Sequence, residues 1–117
     1  MDLGLKDRVA IVTGGSKGLG RAEAEALAAE GAAIVVATAK SVREADQVVR
    51  DLQSRGSRAV SVQADVSQTA DVQRLVETTL KAFGRLDILV NNAGTTGPHL
   101  NKPLVDLPEE LWAFMLG

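Results

Sequence analysis

The chain has 117 residues, of which 45% are hydrophobic and 24% charged, so one ordered domain with a single core is expected. Its formal net charge of −2 gives no electrostatic reason to expect nucleic acid or a membrane as a partner. The absence of cysteine excludes disulfides, thiolate catalysis and cysteine zinc sites, and no metal site is expected. No apolar run has the length of a membrane span and no signal peptide is evident, so a cytoplasmic location is expected.

The first elements are a strand and a helix joined by a glycine turn. An apolar run predicts a buried strand over 8–13, and a helix is predicted over 19–30. Between them, Gly14 allows a sharp turn, Gly18 a close approach of the backbone to a ligand, and Gly20 tight helix–strand packing. The unpaired N–H groups of the first helical turn suit a phosphate, although the glycine spacing alone also fits a plain turn. The apolar residues predicted to share one face of the helix are Leu19, Ala22, Ala26 and Leu27.

Further strands and helices alternate along the rest of the chain. Strands are predicted over 32–38, 59–63 and 86–90, and helices between Ser41 and Gly56 and over 71–83. In the first of these helices, Ser41 and Glu44 are expected to form a capping box, with a buried stripe of Val42, Ala45, Val49 and Leu52.

The βαβαβαβ order predicts the fold class. Short connections and nearly continuous apolar strands favour a parallel sheet with helices on both faces. The expectation is an α/β, Rossmann-type doubly wound sheet, truncated to about four strands in the order 3-2-1-4. After Gly94 the sequence predicts a loop over 95–108, followed by a last helix that carries Trp112.

Four features in this order resemble the short-chain dehydrogenase/reductase family. They are Thr13-Gly14-x-x-x-Gly18-x-Gly20, Asp65-Val66, Asn91-Asn92-Ala93-Gly94, and a helix start bearing Trp112. Together they cover essentially the whole chain, and Asn-Asn-Ala-Gly after a fourth strand is far more specific than the glycine turn. As a whole, the sequence is similar to the N-terminal half of 3-oxoacyl-thioester reductases and their sugar- and steroid-acting relatives.

The resemblance implies a dinucleotide-binding site. According to the resemblance, the residues around the cofactor's phosphates and ribose would be Gly14, Ser16, Lys17, Gly18, Leu19 and Gly20. Asp65 would accept a hydrogen bond from the adenine amino group, with the Val66 backbone beside it, although Asp65 could equally just cap its turn. Asn92, Ala93 and Gly94 would line the floor near the ribose and nicotinamide, whereas Asn91 is expected to bridge strands and His99 to lie in solvent.

The cofactor can be predicted from charge at the end of the second strand. An enzyme that binds an unphosphorylated ribose usually places a carboxylate there. This chain has Thr38, Ala39 and Lys40 instead, with Lys17 in the glycine turn. These residues favour NADP(H) over NAD(H), unless both lysines are simply solvated.

Catalysis in the family relies on a tyrosine and a lysine four residues later, assisted by a serine and an asparagine. This chain contains no tyrosine, so it has no catalytic residue of its own and is expected to be inactive alone. The sequence is therefore interpreted as the partial dinucleotide-binding domain, residues 1–117, of a longer NADP(H)-dependent carbonyl reductase or alcohol dehydrogenase whose full-length form is a homo-oligomer. The alternative is a catalytically inactive dinucleotide-binding module with a sensor or interaction role. A P-loop hydrolase is excluded because no Gly-Lys-Ser/Thr ends the turn.

Overall fold

The computed structural model describes residues 5–14 and 18–92, which form a four-stranded parallel sheet flanked by helices. The strands are β1 (Val9–Thr13), β2 (Ala33–Thr38), β3 (Ala59–Gln63) and β4 (Ile88–Asn91). The helices are α1 (Gly18–Ala29), α2 (Val42–Ser54) and α3 (Thr69–Phe83). All neighbouring strands are parallel and their order is β3-β2-β1-β4, which confirms the predicted fold.

The two central strands are buried along their whole length because helices cover both faces of the sheet. One face packs against α1 and α2, and its largest buried side chains include Ile34, Val48 and Leu52. The opposite face packs against α3 through Leu75 and Val76. Because the chain has no tyrosine and few other aromatics, the fully buried side chains of both clusters are aliphatic, and Phe83 packs partly buried against the α3 side.

The predicted buried face of α1 is wrong. The structure buries Gly20, Ala24 and Ala28, while Leu19 is 72% exposed. Ala22 and Ala26 are exposed as well, and Leu27 is partly buried. Alanines occur on almost every side of this helix, so apolar periodicity does not define a face. The side with the smallest residues turns inward because it allows the backbone to lie closest to the sheet.

The start of α2 also differs from the prediction. Ser41 precedes the helix, but its side chain makes no capping hydrogen bond, so the expected capping box with Glu44 does not form. The Ser41 N–H instead donates to Thr38 Oγ1 at 3.0 Å. Val42 is 37% exposed and not part of the buried stripe, which Val48 completes. Val42 is the first residue of the helix, and Arg43 and Glu44 beside it are exposed as well.

The third helix follows its apolar pattern closely. Val72, Leu75 and Val76 are buried, and Gly84 ends the helix in a left-handed conformation with its N–H donating to Leu80 O at 2.8 Å. The loop and final helix expected after Gly94 lie outside the described residues. Within the described ranges, no helix has the length and apolarity needed to cross a membrane.

Candidate functional site

The carboxyl ends of all four strands meet at one edge of the sheet, called here the carboxyl edge. Gly14 follows β1 and its N–H donates to Ala37 O at 2.9 Å. Ala64 follows β3, and its N–H donates to the carbonyl oxygen of Thr38 at the end of β2, at 2.9 Å. Since β1 pairs with β2 on one side and with β4 on the other, strand order reverses at this point. Ligands of doubly wound folds bind in the crevice outside such a reversal.

A buried threonine hydroxyl ties the ends of β1 and β4 together. Thr13 is 1% exposed, and its Oγ1 lies 2.8 Å from Asn91 Oδ1 and 3.3 Å from Val90 O. The same oxygen accepts the Asn92 N–H at 3.0 Å. This bridge agrees with the structural role expected for Asn91. It fixes where the chain leaves β4, and therefore where Asn92 lies relative to the glycine turn.

Gly14 and Asn92 touch across the same gap. Gly14 has a φ of +63°, and a Cβ at this position would lie 3.1 Å from the Asn92 carbonyl oxygen. The Asn92 Nδ2 is buried and has no hydrogen-bond partner in the described part of the chain. An orphaned buried amide costs free energy unless something outside the protein satisfies it. The amide is therefore an unused hydrogen-bond donor at the carboxyl edge, beside the end of β1.

The first turn of α1 borders this gap. Gly18 begins the helix and Gly20 is buried against the sheet. Leu19, between them, is exposed although it is a large apolar residue, so it is available to contact a ligand. Four further predicted site residues lie outside the described residues: Ser16, Lys17, Ala93 and Gly94.

No carboxylate occurs at the end of β2. Thr38 is buried and uses its Oγ1 as an acceptor for the following turn, and Ala39 O accepts a hydrogen bond from Gln63 Nε2 at 3.2 Å. Lys40 is exposed and forms no ion pair within the described ranges. The surface beside β2 therefore offers a positive charge that has no direct ion pair among the described residues, with the Asp65 carboxylate as a charged neighbour.

Asp65 serves its own turn with one carboxylate oxygen. Its Oδ1 accepts the Ser67 N–H at 2.9 Å and the Ser67 hydroxyl at 2.6 Å. These hydrogen bonds lower the pKa of Asp65, and the positive charge of Lys40 acts in the same direction. Turn capping therefore occurs, but it uses Oδ1 alone, and Oδ2 has no partner among the described residues. The adjacent Val66 is partly buried against the α3-side core.

Two of these polar groups have roles that the sequence motifs do not predict. The Thr13 hydroxyl fixes the β1–β4 contact, and Ser67 shapes the Asp65 turn. The available signals were a threonine as the last residue of a buried strand and the Asp-x-Ser spacing typical of Asx turns. No cluster of His, Asp or Glu able to hold a metal ion occurs in the described part of the chain.

A parallel sheet of this order, with a glycine turn entering α1 at the strand reversal, defines a Rossmann-type domain of the kind that binds dinucleotides. The family model for short chain dehydrogenases matches residues 8–116. The chain therefore belongs to the short-chain dehydrogenase family.

Named relatives and solved structures are consistent with this membership. A 3-oxoacyl-acyl-carrier-protein reductase of Synechocystis is 49% identical over 92 residues, covering 79% of this chain and 37% of the relative. A Burkholderia cenocepacia short chain dehydrogenase in complex with NADP is 42% identical, with a TM-score of 0.75 over 85% of this chain and 41% of that one. A Burkholderia phymatum relative in complex with NAD is 35% identical, with a TM-score of 0.70 over 73% and 30%. The chain thus spans about two fifths or less of the length of these proteins.

Proposed function

We propose that this chain binds NADP(H) at the carboxyl edge and is the cofactor-binding portion of an oxidoreductase. In the whole protein, hydride would pass between the cofactor and a carbonyl or alcohol substrate, as the family assignment implies. The observation that carries the proposal is the buried Asn92 amide beside the Gly14 turn, which has no hydrogen-bond partner among the described residues and lies where the strand order reverses. A dinucleotide is a ligand with enough polar groups to satisfy this amide while it covers Leu19.

The residues at the carboxyl edge fit such a cofactor. Gly14 lets the end of β1 lie against the Asn92 backbone, where a Cβ would be only 3.1 Å from the Asn92 carbonyl oxygen, and the first N–H groups of α1 suit a pyrophosphate. Asp65 Oδ2, which has no partner among the described residues, is an acceptor for an adenine amino group, and Asn92 Nδ2 is a donor for the ribose or nicotinamide end. When bound, the nicotinamide supplies or accepts the hydride. Ser16, Lys17, Val66, Ala93 and Gly94 complete the proposed binding set.

Electrostatics at the end of β2 favour a phosphorylated ribose. A carboxylate in place of Thr38, Ala39 or Lys40 would repel a 2′-phosphate, and none of these three positions at the end of β2 has one. Lys40 is unpaired within the described ranges, and the uncapped first turn of α2 lies directly after it. Because both features attract an anion, we propose NADP(H) as the preferred cofactor, with Thr38, Ala39 and Lys40 beside the 2′-phosphate. Structures of family members contain NAD as well as NADP, so the choice rests on these residues.

Proton transfer is the part of the reaction that this chain does not supply. The family's tyrosine has no counterpart here, because the chain contains no tyrosine. We therefore propose that residues 1–117 are a partial dinucleotide-binding domain and that the catalytic residues belong to a longer, homo-oligomeric, cytoplasmic form. The same lack of tyrosine favours, as a second candidate, an inactive dinucleotide-binding module with a sensor or interaction role.

A fluorescence titration with NADPH and NADH tests the proposed function. The wild-type chain is expected to bind NADPH more tightly than NADH. Replacing Thr38 with Asp should weaken NADPH binding about tenfold or more, since it places a carboxylate beside the 2′-phosphate. Lys81→Gln on α3, which removes an exposed charge far from the carboxyl edge, is the matched control. Tighter binding of NADH by the wild type would contradict the cofactor assignment, and binding of neither would contradict the function.

A further inference from the structure

Two parallel helices border the proposed cofactor site, and an ion network joins them. Arg21 donates from Nε to Glu25 Oε1 at 2.9 Å and from a terminal nitrogen to Asp51 Oδ2 at 2.8 Å. Arg55 donates to the second Glu25 oxygen at 3.3 Å. Gln47 donates to Asp51 Oδ1 at 2.9 Å, so both oxygens of Asp51 are used. The network thus runs from the first turns of α1 to the end of α2.

The two interhelical contacts share one register. Arg21 with Asp51 and Glu25 with Arg55 are each separated by 30 residues. By the same offset Gly18, where α1 begins, lies level with Val48, which is six residues after α2 begins at Val42. At 1.5 Å per residue, α2 extends beyond the start of α1 by about 9 Å at the carboxyl edge.

The groups proposed to bind the 2′-phosphate lie in the first turn of this overhang and in the turn before it, where Lys40 precedes Val42, whereas the start of α1 carries those proposed for the pyrophosphate. The height of α2 along α1 therefore sets the distance between the two anion positions. From its side, α1 buries only the small residues Gly20, Ala24 and Ala28 in the core, while α2 packs on the sheet through Val48 and Leu52. The directional contacts between the helices are the ion pairs.

We propose that Asp51, held by Arg21, is a positioning residue for cofactor discrimination: it fixes α2 at the height where the 2′-phosphate and pyrophosphate positions match NADP(H). The inference rests on the proposed function. Its contribution is modest because the paired side chains are about a third or more exposed, at 39% for Arg21 and 35% for Asp51.

Asp51→Asn gives the decisive test, because two explanations predict opposite changes in the preference for NADPH over NADH. If Asp51 acted only as a nearby negative charge, its removal would strengthen binding of NADPH, which carries the extra phosphate. If Asp51 positions α2, its removal weakens NADPH binding relative to NADH. We expect the ratio of the NADH Kd to the NADPH Kd to fall about two- to fivefold, the range of an exposed ion-pair network.

The experiment compares both Kd values for the 117-residue wild type and its variants. Asp51→Glu, which keeps the charge and the contact, should retain the wild-type ratio, as should Glu77→Gln on α3. Glu25→Gln, which breaks the network from its other side, should lower the ratio if Asp51→Asn does not fold. An unchanged or raised ratio in Asp51→Asn overturns the inference alone, whereas a wild type that binds neither cofactor overturns the proposed function and the inference with it.

Discussion

Replacing Gly14 with Ala tests whether the close contact between β1 and β4 is as tight as the structure shows. The new methyl group would lie 3.1 Å from the Asn92 carbonyl oxygen and 3.2 Å from its carbonyl carbon, both backbone atoms. The left-handed φ of +63° costs a residue with a Cβ about 1–2 kcal/mol, and the overlap adds about 1–2 kcal/mol. The expected loss in the free energy of unfolding is therefore about 2–4 kcal/mol.

Gly56→Ala is the matched control for this substitution. Gly56 also has a positive φ, of +88°, but a Cβ there would have nothing within 4 Å. It should lose only about 1–2 kcal/mol, from backbone strain alone. Urea unfolding of both variants, followed by far-ultraviolet circular dichroism, measures the difference. Equal losses in the two variants would refute the close approach of Gly14 to Asn92.

Three further substitutions test the structure. Asp87→Asn removes an acceptor of Arg85, whose hydrogen bonds lower the pKa of Asp87. The lowered pKa stabilises the fold above about pH 4, and this contribution is lost as the pH falls further. The variant should therefore lose about 1–3 kcal/mol in the free energy of unfolding at pH 7, and its stability should depend less on pH in acid. An acid dependence of stability equal to that of the wild type would contradict this. Thr13→Val should cost about 1–2 kcal/mol and weaken cofactor binding through Asn92, whereas Thr13→Ser should restore both, as calorimetry and titration can check. Leu52→Ala should cost about 2–4 kcal/mol in urea unfolding because Leu52 is 1% exposed, and a smaller loss would contradict its core position.

The strands could be predicted from sequence because their burial and hydrophobicity coincide. The predicted bounds of β3 are those observed, and the order 3-2-1-4 follows from right-handed crossovers and the usual reversal at a nucleotide site. The face of α1 could not be predicted, because Gly20, Ala24 and Ala28 are less hydrophobic than Leu19, which the structure exposes. Close packing of small residues determines which face of α1 is buried, and a hydrophobic pattern does not predict such packing.

At the site, sequence motifs identified the turns but not the contacts between them. The pairing of Thr13 with the Asn91–Asn92 segment depends on β4 lying beside β1, which is a property of the sheet. Asp65 illustrates the same limit, since the sequence left capping and ligand binding as alternatives. In the structure one oxygen caps the turn and the other has no partner among the described residues.

The most direct test of the central claim is to locate bound NADPH by heteronuclear NMR on the 117-residue chain. We expect amide shifts concentrated at the carboxyl edge, at Gly14, Lys40, Asp65 and Asn92, with a matching change in the Asn92 side-chain amide. Residues at the opposite edge, such as Arg58, should not shift. Shifts centred on that opposite edge, or no shifts at saturating NADPH, would contradict the proposed site.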